Sequence, residues 1–167
     1  MDLYADALAS LNRHRVSYVV VGVFGVNLYA ERAGMVILTQ DCDLLLRAES
    51  RILARALRVL RKRGWEMTAG GEPFLGEHPD DLTSILRGRT MIRALRRGRQ
   101  IDLALGLAGL DFEAVWKNRR VFRTQGVRVP VAPLADLLRS KELANRPKDR
   151  VFLETYRAAL EELGRST

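Results

Sequence analysis

Hydrophobic positions along the chain alternate between a helical and a strand-like period. From Asp2 to His14 the apolar residues Leu3, Ala7, Leu8 and Leu11 fall on one helical face. Val16-Ser17-Tyr18-Val19-Val20-Val21 is rich in β-branched residues and stops at Gly22, which predicts a buried strand. Gly22-Val23-Phe24-Gly25 then leads into a short helix expected over Val26 to Arg32, broken by Ala33-Gly34. Leu38 to Leu46 reads as a second strand. Ser50 to Arg63 is amphipathic, with Ile52, Leu53, Ala56, Leu57 and Leu60 on one face, arginines on the other, and Gly64 as its stop.

In the second half, Trp65 to Thr68 predicts a short strand and Gly70 to Asp81, rich in Gly, Pro and acids, a loop. Leu82 to Leu86 and Thr90 to Leu95 read as short strands. Arg96-Arg97-Gly98-Arg99 is a turn into a further strand, Gln100 to Leu105, and Gly106 to Gly109 forms another loop. Phe112 to Asn118 fits one or two helical turns. Val121-Phe122-Arg123 and Val127-Arg128-Val129 flank a Gln125-Gly126 turn. Pro133 opens a helix over Leu134 to Leu143, Arg146-Pro147 interrupts, and Pro147 to Leu163 is a last helix with Phe152, Tyr156, Ala159, Leu160 and Leu163 inward. This order predicts an α/β or α+β fold with a mixed sheet and a C-terminal helical pair. The 167 residues contain no repeat or linker, so a single domain is expected, with its core at about 16–105 and its helical part at about 133–164.

The chemistry concentrates on Asp41-Cys42-Asp43. Residues i and i+2 of a strand share a face, so the two carboxylates should stand side by side with Cys42 packed on the other side. Two carboxylates that close repel unless a cation or a proton lies between them. Such a pair at a strand edge suits Mg²⁺, which takes one or two carboxylates together with substrate phosphates. Asp102, in the strand-like run Gln100 to Leu105, is a candidate third carboxylate, as metal ligand or general base. Thr39 stands where it could orient Asp41. Gly22, between a strand and a helix, suits a phosphate approached by backbone N–H groups. The expectation is metal-assisted phosphoryl or nucleotidyl transfer.

Charge points the same way. The chain has 28 Lys and Arg against 20 Asp and Glu, a net charge of +8, which favours a polyanionic partner such as RNA or a nucleotide. Aromatic residues are sparse between the basic clusters, so no stacking platform for single strands is indicated. One cysteine excludes an internal disulfide, and no run approaches a membrane span. The acidic, amphipathic start is unlike a signal peptide, and a cytoplasmic protein is expected.

A glycine turn, a helix, Asp-x-Asp on the next strand and a later Asp together resemble the nucleotidyltransferase fold of the polymerase-β type. The similarity is closer to the nucleotidyltransferase-like proteins that include the AbiEii toxins of type IV toxin–antitoxin systems. It rests on Val19-Val20-Val21-Gly22-Val23-Phe24-Gly25-Val26-Asn27-Leu28-Tyr29, on Thr39-Gln40-Asp41-Cys42-Asp43, and on Leu137-Leu138-Arg139-Ser140-Lys141 followed by Arg146-Pro147-Lys148-Asp149. The resemblance implies two Mg²⁺ ions held by Asp41, Asp43 and Asp102, and an NTP bound by Gly22, Val23, Thr39 and Lys141. It implies transfer of a nucleoside monophosphate to an acceptor, with tRNA foremost, and a cognate antitoxin or toxin partner. Val23 departs from the Gly or Ser usual in the wider fold, and Ile37 from the Arg of the narrower family. These departures leave open a binding module without catalysis; a protein hydroxyl or a small molecule as acceptor is a separate alternative.

Overall fold

The computed structural model describes residues 1–166. The elements run α1 (Leu3–Arg13), β1 (Tyr18–Val21), α2 (Gly22–Ala30), a single 3-10 turn (Glu31–Ala33), β2 (Asp41–Leu46) and α3 (Ser50–Lys62). They continue with β3 (Glu66–Ala69), β4 (Glu72–Pro73), α4 (Pro79–Gly88), β5 (Ile92–Arg96) and β6 (Arg99–Ala104). The last elements are α5 (Phe112–Asn118), β7 (Arg120–Thr124), β8 (Val127–Val131), α6 (Leu134–Ala144) and α7 (Pro147–Arg165). All eight strands join one mixed sheet in the order β4-β3-β5-β6-β2-β1-β8-β7. β2 pairs with β6 and β1 with β8 in parallel, while the other neighbours are antiparallel.

Both faces of the sheet centre are covered, which is why its strands read as near-continuous apolar runs. On one face Tyr18 of β1 donates to Asn12 of α1 at 2.9 Å, and α1 packs against α3. Cys42, Leu44 and Leu46 point to that side and are fully buried. On the other face α2 crosses β1 and β2 and meets α6 and α7. That approach is close: a Cβ at Gly25 would lie 3.3 Å from the Val20 carbonyl and 3.3 Å from Leu137. The amphipathic pattern of α3 holds, with Ile52, Leu53, Ala56, Leu57 and Leu60 in the core. Among the described residues no helix is long and apolar enough to cross a membrane.

The α/β architecture with its mixed sheet and C-terminal helical pair matches the sequence expectation; four local expectations do not hold. The second helix starts at Gly22 rather than Val26, because Gly22 itself takes φ +64° and turns the chain at once. The second strand starts at Asp41 rather than Leu38. The side chain of Asn27 receives the Ile37 N–H at 2.7 Å and donates to the Ile37 carbonyl, so that backbone is withdrawn from the sheet. Two residues within the expected loop, Glu72 and Pro73, add a short strand to the sheet edge. Residues 82–86, expected as a strand, belong to α4. Pro79 at its start and Asp80 and Asp81 in its first turn favour a helix, and Leu82 and Ile85 bury at a spacing of three.

Candidate active-site cleft

The registers of the central strands place the chemistry in one row. Val21 lies opposite Asp43, Asp43 opposite Asp102, and Asp102 opposite Arg93. Residues directly opposite share a face, so these side chains stand together on the side covered by α2, α6 and α7. Asp41 joins Asp43 there, two residues back on β2. The tyrosine hydroxyl of Tyr4 pins the strand ends behind them: it donates to the Gln40 carbonyl and accepts from the Gln100 N–H at 3.2 Å.

These groups line a cleft of about 510 Å³, together with Gly22, Val23 and Thr39 on one side, Met91 and Ala104 on the other, and Ser140, Lys141, Arg146, Lys148 and Phe152 from the C-terminal helices. Every residue expected at the site therefore lines the same cleft. Thr39 sits at its rim and touches the backbone N–H and carbonyl of Asp41 at 3.4 and 3.3 Å, not the carboxylate it was expected to orient. Val23 takes an ordinary helical place in α2; the left-handed backbone falls on Gly22 instead. Gly22 also packs against Asp43. A Cβ at Gly22 would overlap the Asp43 carboxylate and lie 3.2 Å from the Asp43 Cβ, so residue 22 must be glycine for two separate reasons.

The two carboxylates of the row differ. Asp102 is 6% exposed and accepts three hydrogen bonds. Arg93 grips it with a fork, Nε to Oδ1 at 3.0 Å and Nη2 to Oδ2 at 3.3 Å, and Gln100 Nε2 donates to Oδ2 at 3.0 Å. Asp43 receives no hydrogen bond from any described residue. Burial, then the charges of Asp102 and Asp41, push its carboxyl up from 3.8 to about 6, against the pull of Lys141 and Lys148. A half-hidden carboxylate beside like charges and short of donors fits a cation. Asp41 and Asp43 suit Mg²⁺ by donor type, and Asp43 in addition by this unmet demand for positive charge. Among the described residues no group of three acidic, His or Cys side chains is arranged to hold a metal ion.

The opposite wall is basic. Lys141, on α6, is 12% exposed and lies 3.4 Å from Asp149, whose side chain is wholly enclosed. Arg146 donates to the same carboxylate from its N–H at 3.2 Å, from Nε at 2.6 Å and from Nη2 at 3.2 Å. Burial opposes the charge of Asp149, but the bonds from Arg146 and the charge of Lys141 prevail and hold its carboxyl below the usual range. Lys141 is pulled down by burial, with Asp149 resisting, and its Nζ rests 4.4 Å from the centre of the Phe152 ring. One buried acid thus aims two cations at the cleft.

Sequence reasoning missed Arg93 and the part played by Asp149. Arg93 was within reach: the Arg97-Gly98 turn pairs Arg96 with Arg99, and counting three residues outward on each strand sets Arg93 beside Asp102. Ile37, where the narrower family has Arg, is 4% exposed and packs inward. Arg32 lies 4.3 Å over the Phe122 ring and does not line the cleft. Much of the remaining basic charge serves the fold: Arg61 donates to the Phe74 and Leu75 carbonyls, Arg63 pairs with Asp6, and Arg119 stacks 3.9 Å over Trp116. His14 and His78 are exposed, and Trp65 is core. No known protein family matches the chain, and no curated protein is significantly similar to it.

Proposed function

We propose that the chain is a nucleotidyltransferase of the polymerase-β type that moves a nucleoside monophosphate from an NTP to an RNA hydroxyl, tRNA foremost. One observation supports this most: a single cleft sets the unsatisfied carboxylates Asp41 and Asp43 across from Lys141, Arg146 and Lys148, next to the Gly22 turn at the head of α2. Carboxylates alone would repel a triphosphate, and cations alone would bind any anion. Together they suit a phosphate chain bound with a divalent cation.

In this reading Asp41 and Asp43 hold Mg²⁺, which supplies charge neutralisation and polarisation of the phosphoryl oxygens. Gly22, having no Cβ, lets a phosphate oxygen approach the backbone N–H groups at the start of α2. Lys141 and Lys148 neutralise the departing pyrophosphate, and Asp149 keeps Lys141 turned towards it. The acceptor hydroxyl, giving up its proton to water, attacks the α-phosphorus from the side opposite the leaving group; the new O–P bond forms as the bond to pyrophosphate breaks. The +8 charge favours RNA as the acceptor over a neutral small molecule.

The test is equilibrium binding of each NTP with Mg²⁺ and with EDTA. Binding that needs Mg²⁺, falls at least tenfold in Asp43→Ala and falls in Lys141→Gln supports the reading. Binding of equal strength in EDTA and in Asp43→Ala leaves a phosphate-binding module without a catalytic metal pair.

A further inference from the structure

Asp102 stands where a third metal ligand was expected, yet its oxygens are occupied by Arg93 and Gln100. The fork uses two of the five N–H donors of Arg93 and leaves the rest free, with the side chain 43% exposed. Among the described residues Arg93 forms no second ion pair, although the charges of Asp41 and Asp43 also act on it. A guanidinium held rigid by a buried carboxylate, with donors left over, is preorganised for a planar oxyanion such as phosphate.

Its position says which phosphate. Along the row from Val21 to Asp43, Asp102 and Arg93, each step crosses one strand. At about 4.8 Å per strand, the Arg93 backbone stands about 10 Å beyond that of Asp43, and its guanidinium reaches back to the Asp102 carboxylate between them. Gly22 lies at the opposite end of that row, and α6 with Lys141 packs over α2 at the same end. In-line transfer puts the leaving pyrophosphate and the attacking hydroxyl on opposite sides of the α-phosphorus. With the triphosphate at the Gly22 and Lys141 end, Arg93 faces the incoming acceptor.

Building on the proposed transfer, we infer that Arg93 binds a backbone phosphate of the acceptor RNA, and that Asp102 and Gln100 are positioning residues for Arg93 rather than part of the metal site. Arg93 then selects acceptors that carry a phosphate beside the reacting hydroxyl, which disfavours a protein or neutral small-molecule acceptor.

Three binding measurements on the full chain test this: total tRNA as a function of salt, ATP with Mg²⁺, and Mn²⁺ by its free-ion electron paramagnetic resonance signal. Circular dichroism checks that each variant is folded. Arg93→Gln should weaken tRNA binding about tenfold and reduce the slope of log affinity against log salt by about 0.7 to 0.9, the loss of one phosphate contact. ATP affinity should stay within about twofold. Arg93→Lys should restore the slope but not the full affinity, since Lys cannot form the fork. Asp102→Asn should keep Mn²⁺ affinity within about threefold. The inference fails if Arg93→Gln leaves the tRNA slope unchanged, if it weakens ATP as much as tRNA, if Asp102→Asn costs tenfold or more in Mn²⁺ affinity, or if the wild type binds no tRNA. A wild type that binds no ATP refutes the transfer reading instead.

Discussion

Replacing Asp43 with Asn should stabilise the protein while destroying its metal-dependent binding. Burial and the neighbouring charges of Asp102 and Asp41 raise the Asp43 carboxyl from 3.8 to about 6. Folding therefore disfavours the ionised form. With each pKa unit equal to about 1.4 kcal/mol, the ionised side chain costs up to about 3 kcal/mol near neutral pH. The net rise already includes the opposing pull of Lys141 and Lys148; residual exposure screens the remainder, so a gain of about 1 to 2 kcal/mol is expected for the neutral isostere. For a chain of this size that corresponds to about 3 to 6 °C in Tm. The assay is thermal unfolding of wild type and Asp43→Asn at pH 7.5, each in EDTA and in millimolar Mg²⁺. In EDTA the variant should melt higher. Mg²⁺ should raise the wild type by binding the folded state and leave the variant nearly unmoved. A variant that melts lower than wild type in EDTA would refute the reasoning, because Asp43 would then be a satisfied structural acid.

The sign of the pH dependence follows from the same group. Its folded pKa lies above its unfolded value, so the folded state takes up a proton as pH falls from about 6 to about 4, and the Asp43 contribution makes wild type more stable over that fall, an effect absent from Asp43→Asn in paired melts. Mn²⁺ affinity should weaken below about pH 6 as the proton competes, measurable by the free-ion signal. Gly22→Ala places a methyl group against the Asp43 carboxylate at a φ of +64°, and should cost about 1 to 2 kcal/mol in chemical denaturation and at least tenfold in Mn²⁺ affinity. Asp149→Ala strands Lys141, which is only 12% exposed, and should cost about 3 kcal/mol, read as a lower urea midpoint, with weaker NTP binding.

The parts of the site legible in the sequence were those set by local periodicity. Asp41 and Asp43 share a face because they are two apart on a strand, and Cys42 is buried behind them for the same reason. Gly22 could be read as the glycine between a strand and a helix, while its positive φ and the helix starting directly at it were not legible. The remainder depended on pairings between distant segments. Asp102 meets Asp43 only through the parallel β2–β6 register, and spacing along the chain does not encode it. In sequence, Asp149 is an acid of the Arg146-Pro147-Lys148-Asp149 element at the start of the last helix, with nothing to show that it is buried. Its enclosure beneath Lys141 and Arg146 arises from how α6 and α7 fold back on each other. The misread strand at 82–86 shows the converse. Its run of Leu and Ile fits either period, and the decisive signal was Pro79 with two acids before it.

The most direct test of the account is label transfer. Purified protein with Mg²⁺, total tRNA and each α-labelled NTP in turn should place label in RNA, and Asp43→Ala should abolish it. Absence of label from RNA with every NTP, from a folded sample that binds both Mg²⁺ and NTP, would contradict the central claim.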